Sequence, residues 1–314
     1  MSDLQGRLKS LGFRVAWRTQ RVLPEKLVWA VCRYAADRAA RKRGPGTEQL
    51  RRNLARVVPA AGEVELDDLV REGLRSYARY WMEVFRMPLI GLDGMHRKVD
   101  PHVYGRENLD AALAKGNGAI VALTHSGNWE VLGGWVAAHT GHLATVAERL
   151  QPESLYRRFT KFRESLGMEV VPHIGGDQSA ATVMAQCLRD NKSIALLGDR
   201  DLTSSGIPVT FFGERTRMPA GPAYLAARTG AALIPLGLWN TEDGWAMRFH
   251  PPIKVDNTKA IGAATQALAD VFAADIAAHP TDWHMLQKLW VADLPEEEQA
   301  ALAAKDAVRG RKSG

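Results

Sequence analysis

The stretch "ALTHSGNWEVLGG", residues 122–134, brings an apolar run to His125 and places Glu130 five positions later. A histidine whose Nδ1 proton is held by a carboxylate is prepared to take a proton from a hydroxyl at Nε2. The carboxylate fixes the tautomer and stabilises the imidazolium that forms. The spacing alone is weak, because nine histidines and 35 acids among 314 residues give about one His-x4-acid match by chance. There are two, the second being His102 with Glu107 in "PHVYGRE", and the surrounding elements must separate them.

"GAIVALT" (118–124) is a short continuous apolar run of the kind that fills a buried strand, and "WEVLGGWVAAH" behind it has helical length and period. His125 therefore ends a strand, and Glu130 lies in the first turn or so of the next helix. In open α/β sheets ligands bind at the carboxyl ends of strands. His102 follows Pro101 in a stretch without such a run. Within one helix, positions i and i+5 point about 140° apart, so the pair requires the histidine on the loop and the glutamate on the helix returning over it. On this reading Glu130 accepts the Nδ1 proton, Gly127 permits close backbone approach, and amides at the helix N-terminus face a developing oxyanion. Two other readings stand beside it: a core histidine with its hydrogen bonds satisfied, and a Ser126 nucleophile, for which "THSGN" lacks the G-x-S-x-G elbow. One His and one Glu with no third ligand nearby make a poor metal site, so no metal is expected.

The same alternation runs on through the chain. "HLATVA", "MEVVP", "SIALLG", "IPVTFFG", "ALIPLGLWN" and "WAMRFHPPI" read as strands, with helices at "PESLYRRFTKFRESLG", "DQSAATVMAQCLRD", "PAGPAYLAARTG" and 259–278. This predicts an α/β body over 103–292, a largely parallel or mixed sheet covered by helices on both faces. Residues 4–92 read as helices throughout. "LDDLVREGLRSYARYWMEVFRM" (66–87) carries apolar residues at 66, 69, 70, 74, 77, 81, 84 and 85 behind acids that suit a helix N-terminus. No convincing linker divides the two regions, so a single domain spanning 1–314 is expected, with 1–92 as a helical lead-in. Residues 293–314, ending in "AAKDAVRGRKSG", read as a polar, frayed tail.

Composition narrows the partners. Cys32 and Cys187 form no CxxC pair, so neither a disulfide framework nor a zinc site is signalled, and Cys187 reads as a small core residue. The first residues lack the apolar core of a signal peptide, and no segment approaches the roughly 18–20 apolar residues of a membrane span. The net charge of +6 favours anionic partners, and residues 1–58 hold a large share of the excess. There, apolar positions such as Leu11, Val15, Leu27 and Val31 recur among arginines and lysines. That pattern fits either solvated faces of core-packing helices or interfacial helices lying on anionic lipid. No RNP, zinc-finger or helix-turn-helix signature accompanies the charge, and nucleic acid is not expected.

"VALTHSGNWEVLGG" resembles the H-x4-D/E block of the bacterial lysophospholipid acyltransferase superfamily, in its lipid A lauroyl/myristoyl acyltransferase branch. The resemblance covers nearly the whole chain. "QLRRNLARVVP" and "REGLRSYARYWMEVFRM" are similar to that branch's helical lead-in. "VAERLQPESLYRRFTKFRESLGMEVVP", "LLGDRD", "TFFGERTRMPAGPAYLAARTGAALIP" and "HPTDWHMLQKLW" follow in the branch's order. Glutamate in place of the branch's usual aspartate, the "AERL" and "GDRD" wording and the Ala/Arg/Gly-rich composition look like the subfamily acting on phosphatidylinositol mannosides in mycobacteria and their relatives.

The resemblance implies transfer of a palmitoyl chain from palmitoyl-CoA, as co-substrate with no resident cofactor, to a mannose of phosphatidylinositol mono- or dimannoside. It implies work at the cytoplasmic face of the cell membrane as a peripheral protein. It makes His125 the general base and Glu130 its partner, and places Glu148, Arg163, Asp199 and Arg200 on the acceptor side, where arginines suit a phosphate and carboxylates suit sugar hydroxyls. Arg157, Arg158 and Lys161 would meet the coenzyme A phosphates or simply form a solvated helix face. A lipid-binding protein without activity, a thioesterase using the same pair on water, another glycolipid or lysophospholipid as acceptor, and an acyl carrier protein as donor all stay open, as do chain length and oligomeric state.

Overall fold

The computed structural model describes residues 22–148, 153–175, 178–201 and 205–313. Three helices lead: α1 (Glu25–Lys42), α2 (Pro45–Val57) and α3 (Glu63–Val99). The part of the predicted lead-in before residue 22 lies outside the described residues. Helix α3 breaks at Gly91, whose φ of 68° leaves the helical region three residues after Pro88. Leu50, Leu54, Leu66, Val70 and Leu74 join α2 and α3 in a small core of their own.

Strands β1 (Val103–Tyr104), β2 (Ala119–Leu123), β3 (Leu143–Ala147), β4 (Met168–Pro172), β5 (Ser193–Leu197), β8 (Ala232–Asn240) and β9 (Trp245–Phe249) form one sheet in the order β1-β9-β8-β2-β5-β3-β4. Neighbours are parallel except β8 with β9, and β6 (Ile207–Phe211) and β7 (Glu214–Met218) form a separate hairpin. The unbroken apolar run of β2 serves both faces. Ala119, Val121 and Leu123 enter the core under α3 and α5 (Trp129–Thr140), while Ile120 and Ala122 enter the core under α8 (Gly221–Thr229) and α9 (Ile261–Ala278). Helices α4 (Arg106–Ala114), α6 (Glu153–Ser165) and α7 (Ala180–Arg189) complete the layers. The predicted α/β sheet covered on both faces is therefore present.

Two expectations need correction. The C-terminal stretch is not a frayed tail: it forms α10 (Glu296–Ser313), with Leu302 buried and Asp306 accepting hydrogen bonds from Arg215 and Arg217 of β7. Strand β7, which has Met218 as its one apolar residue and went unpredicted, provides that anchorage. Among the described residues one helix, Thr258–Ala278, is also long and apolar enough by composition to cross a membrane. Leu268, Phe272 and Ile276 pack it into the sheet's core, which accounts for its hydropathy.

Candidate active site

His125 stands just beyond the carboxyl end of β2, and the sheet register decides its partner. Strands β2 and β5 pair in parallel with Leu123 opposite Leu197, and the Gly198 amide continues the ladder to the Leu123 carbonyl at 2.8 Å. Two residues further on, His125 meets Asp199. Its Nδ1 lies 2.7 Å from Asp199 Oδ1, and its backbone amide donates to Oδ2 at 3.0 Å. Trp283 Nε1 donates to the same Oδ2 at 3.1 Å. Asp199 is 0% exposed. Burial works to raise its carboxyl, but the His125 ring, the two hydrogen bonds from that residue and the Trp283 indole outweigh it and hold the group below its ordinary range.

Glu130 is not the Nδ1 partner that the spacing implied. In the first turn of α5 it is 1% exposed and turned toward α6, where Arg163 Nε donates to Oε2 at 2.9 Å and an Arg163 terminal nitrogen to Oε1 at 2.6 Å. The Tyr80 hydroxyl adds a long contact to Oε1 at 3.4 Å. Burial and this carboxylate push the Tyr80 phenol well up. Burial opposes the charge on Arg163, yet Glu130 more than compensates and raises its pKa above the ordinary value. A five-residue loop-to-helix separation permits contact without requiring it, and the arginine wins the carboxylate.

The loop that carries His125 is pinned from behind. Gly127, at φ 54°, lies so close to β8 that a Cβ would stand 3.2 Å from the Leu238 carbonyl carbon and the Trp239 nitrogen. Its amide donates to the Asp282 carbonyl at 2.9 Å, so that amide is committed and unavailable to an oxyanion. Asn128 caps α5 by accepting from the Val131 amide and donates to the buried Glu83 at 2.8 Å. The Trp129 and Glu130 amides, first in the helix, have no intrahelical acceptor.

Residues 282–284 do more than sequence reasoning assigned them. Segment 283–284 runs beside 125–126, with the His284 amide donating to the His125 carbonyl at 2.8 Å, and delivers Trp283 to Asp199. Ser76 Oγ donates to Asp282 Oδ1 at 2.7 Å and lies 3.0 Å from both Asn240 Nδ2 and His284 Nε2, so the carboxylate fixes the hydroxyl's direction and His284 donates from Nε2. His284 Nδ1 is buried without a partner, and burial followed by the His125 ring pushes this group down to about 3. The signals available were the family block "HPTDWHMLQKLW" and its density of polar and aromatic residues just after an alanine-rich helix.

A cavity of about 630 Å³ opens beside His125. Leu123, Leu132, Leu143, Met168, Met184 and Ala195 line it, and His125, Glu130, Glu148, Arg163 and Arg200 contribute its polar side. Of the six residues predicted to form the site, five therefore face one cavity. The sixth, Asp199, sits behind His125, sealed from any acceptor, and corrects the expectation that it binds substrate. Glu148 is exposed at the end of β3, and Arg200 also lines an adjoining pocket with Arg217, Lys288 and Lys305. Arg157 pairs with Glu153 one turn away on an exposed face of α6.

Comparison with known proteins fits this geometry. Residues 5–292 match the family model described as bacterial lipid A biosynthesis acyltransferase. The chain is 50% identical over 299 residues to a protein of Mycolicibacterium smegmatis named phosphatidylinositol mannoside acyltransferase, covering 95% of this chain and 97% of that protein. A Mycobacterium tuberculosis protein of the same name is 48% identical over 295 residues, covering 93% of this chain and 92% of that one. This chain belongs to the bacterial lipid A biosynthesis acyltransferase family.

Proposed function

We propose that this protein transfers a long acyl chain, palmitoyl foremost, from acyl-CoA to a mannose hydroxyl of phosphatidylinositol mono- or dimannoside. The observation that carries this reading is the His125–Asp199 pair at the edge of an apolar cavity. With Nδ1 bound to Asp199, His125 offers Nε2 to substrate. The hydroxyl proton passes to Nε2 as its oxygen bonds to the thioester carbonyl carbon, and the carbonyl electron pair moves to oxygen, toward the Trp129 and Glu130 amides. The carbonyl re-forms, the C–S bond breaks, and the proton moves from Nε2 to the departing coenzyme A sulfur. Asp199 stabilises the transient imidazolium, help typically worth about 10²- to 10⁴-fold. Glu130 acts indirectly, by holding Arg163 and the first turn of α5. Glu148 and Arg200 suit sugar hydroxyls and the inositol phosphate.

The acyl chain fits the apolar part of the cavity, where each buried CH₂ contributes about 0.8 kcal/mol. Mass spectrometry of products from a mixed acyl-CoA pool and a panel of phosphatidylinositol mannosides tests the assignment. Singly acylated mannosides are expected, with the preferred chain shortened in Ala195→Phe, which fills the cavity from β5. Free fatty acid without acylated acceptor would replace transfer with hydrolysis.

The same reading makes the protein peripheral on the cytoplasmic membrane face. Leu23, Leu27, Val31 and Tyr34 are exposed at i, i+4, i+8 and i+11 along or just before α1, followed by Arg38, Arg41 and Lys42. Binding to phosphatidylinositol vesicles should weaken with salt and with Arg38→Glu, Arg41→Glu and Lys42→Glu together, each basic residue near the surface contributing about 1 kcal/mol. Salt-insensitive binding that survives the reversals would place the attachment elsewhere.

A further inference from the structure

The opposite end of the sheet holds another histidine–carboxylate pair, which the proposed reaction does not use. Gly141 ends α5 in the left-handed conformation, and His142 follows as the residue entering β3. Strands β3 and β4 pair with Leu143 opposite Met168 and Ala144 opposite Glu169. This register sets His142 Nε2 2.8 Å from Glu169 Oε2. Cys187, in the last turn of α7, is buried beside them. A ring nitrogen of His142, an oxygen of Glu169 and Cys187 Sγ all lie within 4.8 Å of one another. The separations in sequence, 27 and 18 residues, match no metal-ligand motif; the register of β3 with β4 and the packing of α7 bring the three together.

Two details favour an ion over a plain hydrogen-bonded pair with a core cysteine beneath it. A neutral His142 ring that donates from Nε2 to Glu169 leaves a lone pair on Nδ1, and that atom is buried with no hydrogen-bond partner. Buried polar atoms are seldom left so. The Cys187 sulfur is itself buried, and it lies within 4.8 Å of both the ring nitrogen and the carboxylate oxygen. Imidazole, carboxylate and thiolate together are a donor set for zinc and its chemical relatives, and three protein ligands leave a fourth position for water.

We propose that His142, Glu169 and Cys187 form a three-ligand site for a zinc-class divalent ion at the amino ends of β3 and β4, remote from His125. On binding, the Cys187 thiol proton leaves to solvent and the sulfur–metal bond replaces it, while the imidazole stays neutral. The ion would tie two strands to α7 next to Leu143, Met168 and Met184, which line the end of the cavity away from His125.

Cobalt(II) titrated into the chelator-treated full chain tests this. One equivalent should bind with the intense near-ultraviolet absorption of a thiolate–cobalt bond, zinc should displace it, and zinc should raise the melting temperature. Cys187→Ser should abolish the absorption. His142→Ala and the partly exposed Glu169→Gln should weaken binding by about tenfold or more, the loss that even outer-shell partners of a metal cause. Cys32→Ser should change nothing. Absence of the absorption from the native chain, its survival in Cys187→Ser, or full affinity in a folded Glu169→Gln would each overturn the assignment.

Discussion

The two ends of the sheet each pair a histidine with a carboxylate at hydrogen-bond distance, yet the pairs differ in every respect that governs their energetics. At the carboxyl end Asp199 is fully buried and takes three donors, the His125 ring, the His125 amide and the Trp283 indole. At the amino end Glu169 is about half exposed, and its one described side-chain partner is the His142 ring. Burial with complete hydrogen bonding makes a carboxylate a fixed charge that can orient a ring and balance a proton on it. Exposure makes the same pair a weak, screened contact, held for some other purpose or for none. A histidine near an acid is common; what surrounds the acid distinguishes the two ends.

The largest expected effect falls at the carboxyl end. His125→Ala should remove transfer to background, and Asp199→Asn should cost about 10²- to 10⁴-fold in kcat, because the asparagine cannot stabilise the imidazolium and favours the wrong tautomer. His102→Ala, the other match to the spacing, should leave the rate within twofold or so of the parent. Steady-state kinetics on variants with native circular dichroism decide this. If Asp199→Asn kept full activity, the buried pair would be no more catalytic than the exposed one.

Glu130 separates chemistry from architecture. Glu130→Gln leaves the Arg163 guanidinium largely buried beside a neutral amide, and stranding one member of such a pair costs about 3–5 kcal/mol. The melting temperature should fall accordingly, and Glu130→Gln combined with Arg163→Met should regain much of it. A variant that melts like the parent while losing transfer would instead return the glutamate to the reaction, where its spacing from His125 first pointed.

Much of this was legible in the chain. Buried strands were marked by β-length apolar runs, and "MEVVP" and "ALIPLGLWN" coincide with β4 and β8 residue for residue. His125 was placed by the rule that ligands gather at carboxyl ends of strands. Its partner was not, because strand order is a long-range property: β5 lies beside β2 although β3 and β4 come between them in sequence. "GDRD" follows β5 at the same end of the sheet as His125, but the facing of Asp199 toward that ring and of Arg200 toward the cavity depends on that register. Strand β7 and helix α10 escaped notice because the contacts between them, through Arg215, Arg217 and Asp306, link residues some 90 positions apart, and a local pattern carries no trace of that.

A smaller effect appears at the carboxyl end on acidification. His284, packed behind His125, stays neutral in the folded protein down to about 3, whereas the unfolded ring takes a proton near its ordinary 6.5. Between those values the unfolded state binds the extra proton. Stability therefore falls on acidification below 6.5, by at most about 1.4 kcal/mol per pH unit from this group, and gains nothing from it above 6.5. Asp199 acts in a different window: its depressed carboxyl adds stability that is complete above the usual 3.8 and lost only as pH drops further. His284→Gln, whose amide can replace the Nε2 donor to Ser76, should therefore flatten the loss between pH 6.5 and 4.5 in urea unfolding. Equal slopes in parent and variant would mean that His284 is protonated in the fold, with Nδ1 meeting an acceptor.

The smallest expected effect is also the most direct measure of the contrast. In chelator-treated protein, a double-mutant cycle on His142→Ala and Glu169→Gln isolates the pairwise interaction at the amino end. An exposed pair of this kind is worth about 0–1 kcal/mol, and added salt should reduce it. The matching cycle on His125→Ala and Asp199→Asn should give a larger coupling that salt barely changes, because the acid is sealed from solvent and hydrogen-bonded throughout. Both cycles need only denaturant unfolding at neutral pH, so neither depends on substrate or on the proposed reaction. Equal couplings at the two ends would mean that burial and complete hydrogen bonding of Asp199 do not strengthen its hold on the ring. His125 would then have to be fixed by its backbone tethers to Asp199 and His284, and truncating the Asp199 side chain would loosen the loop rather than the ring.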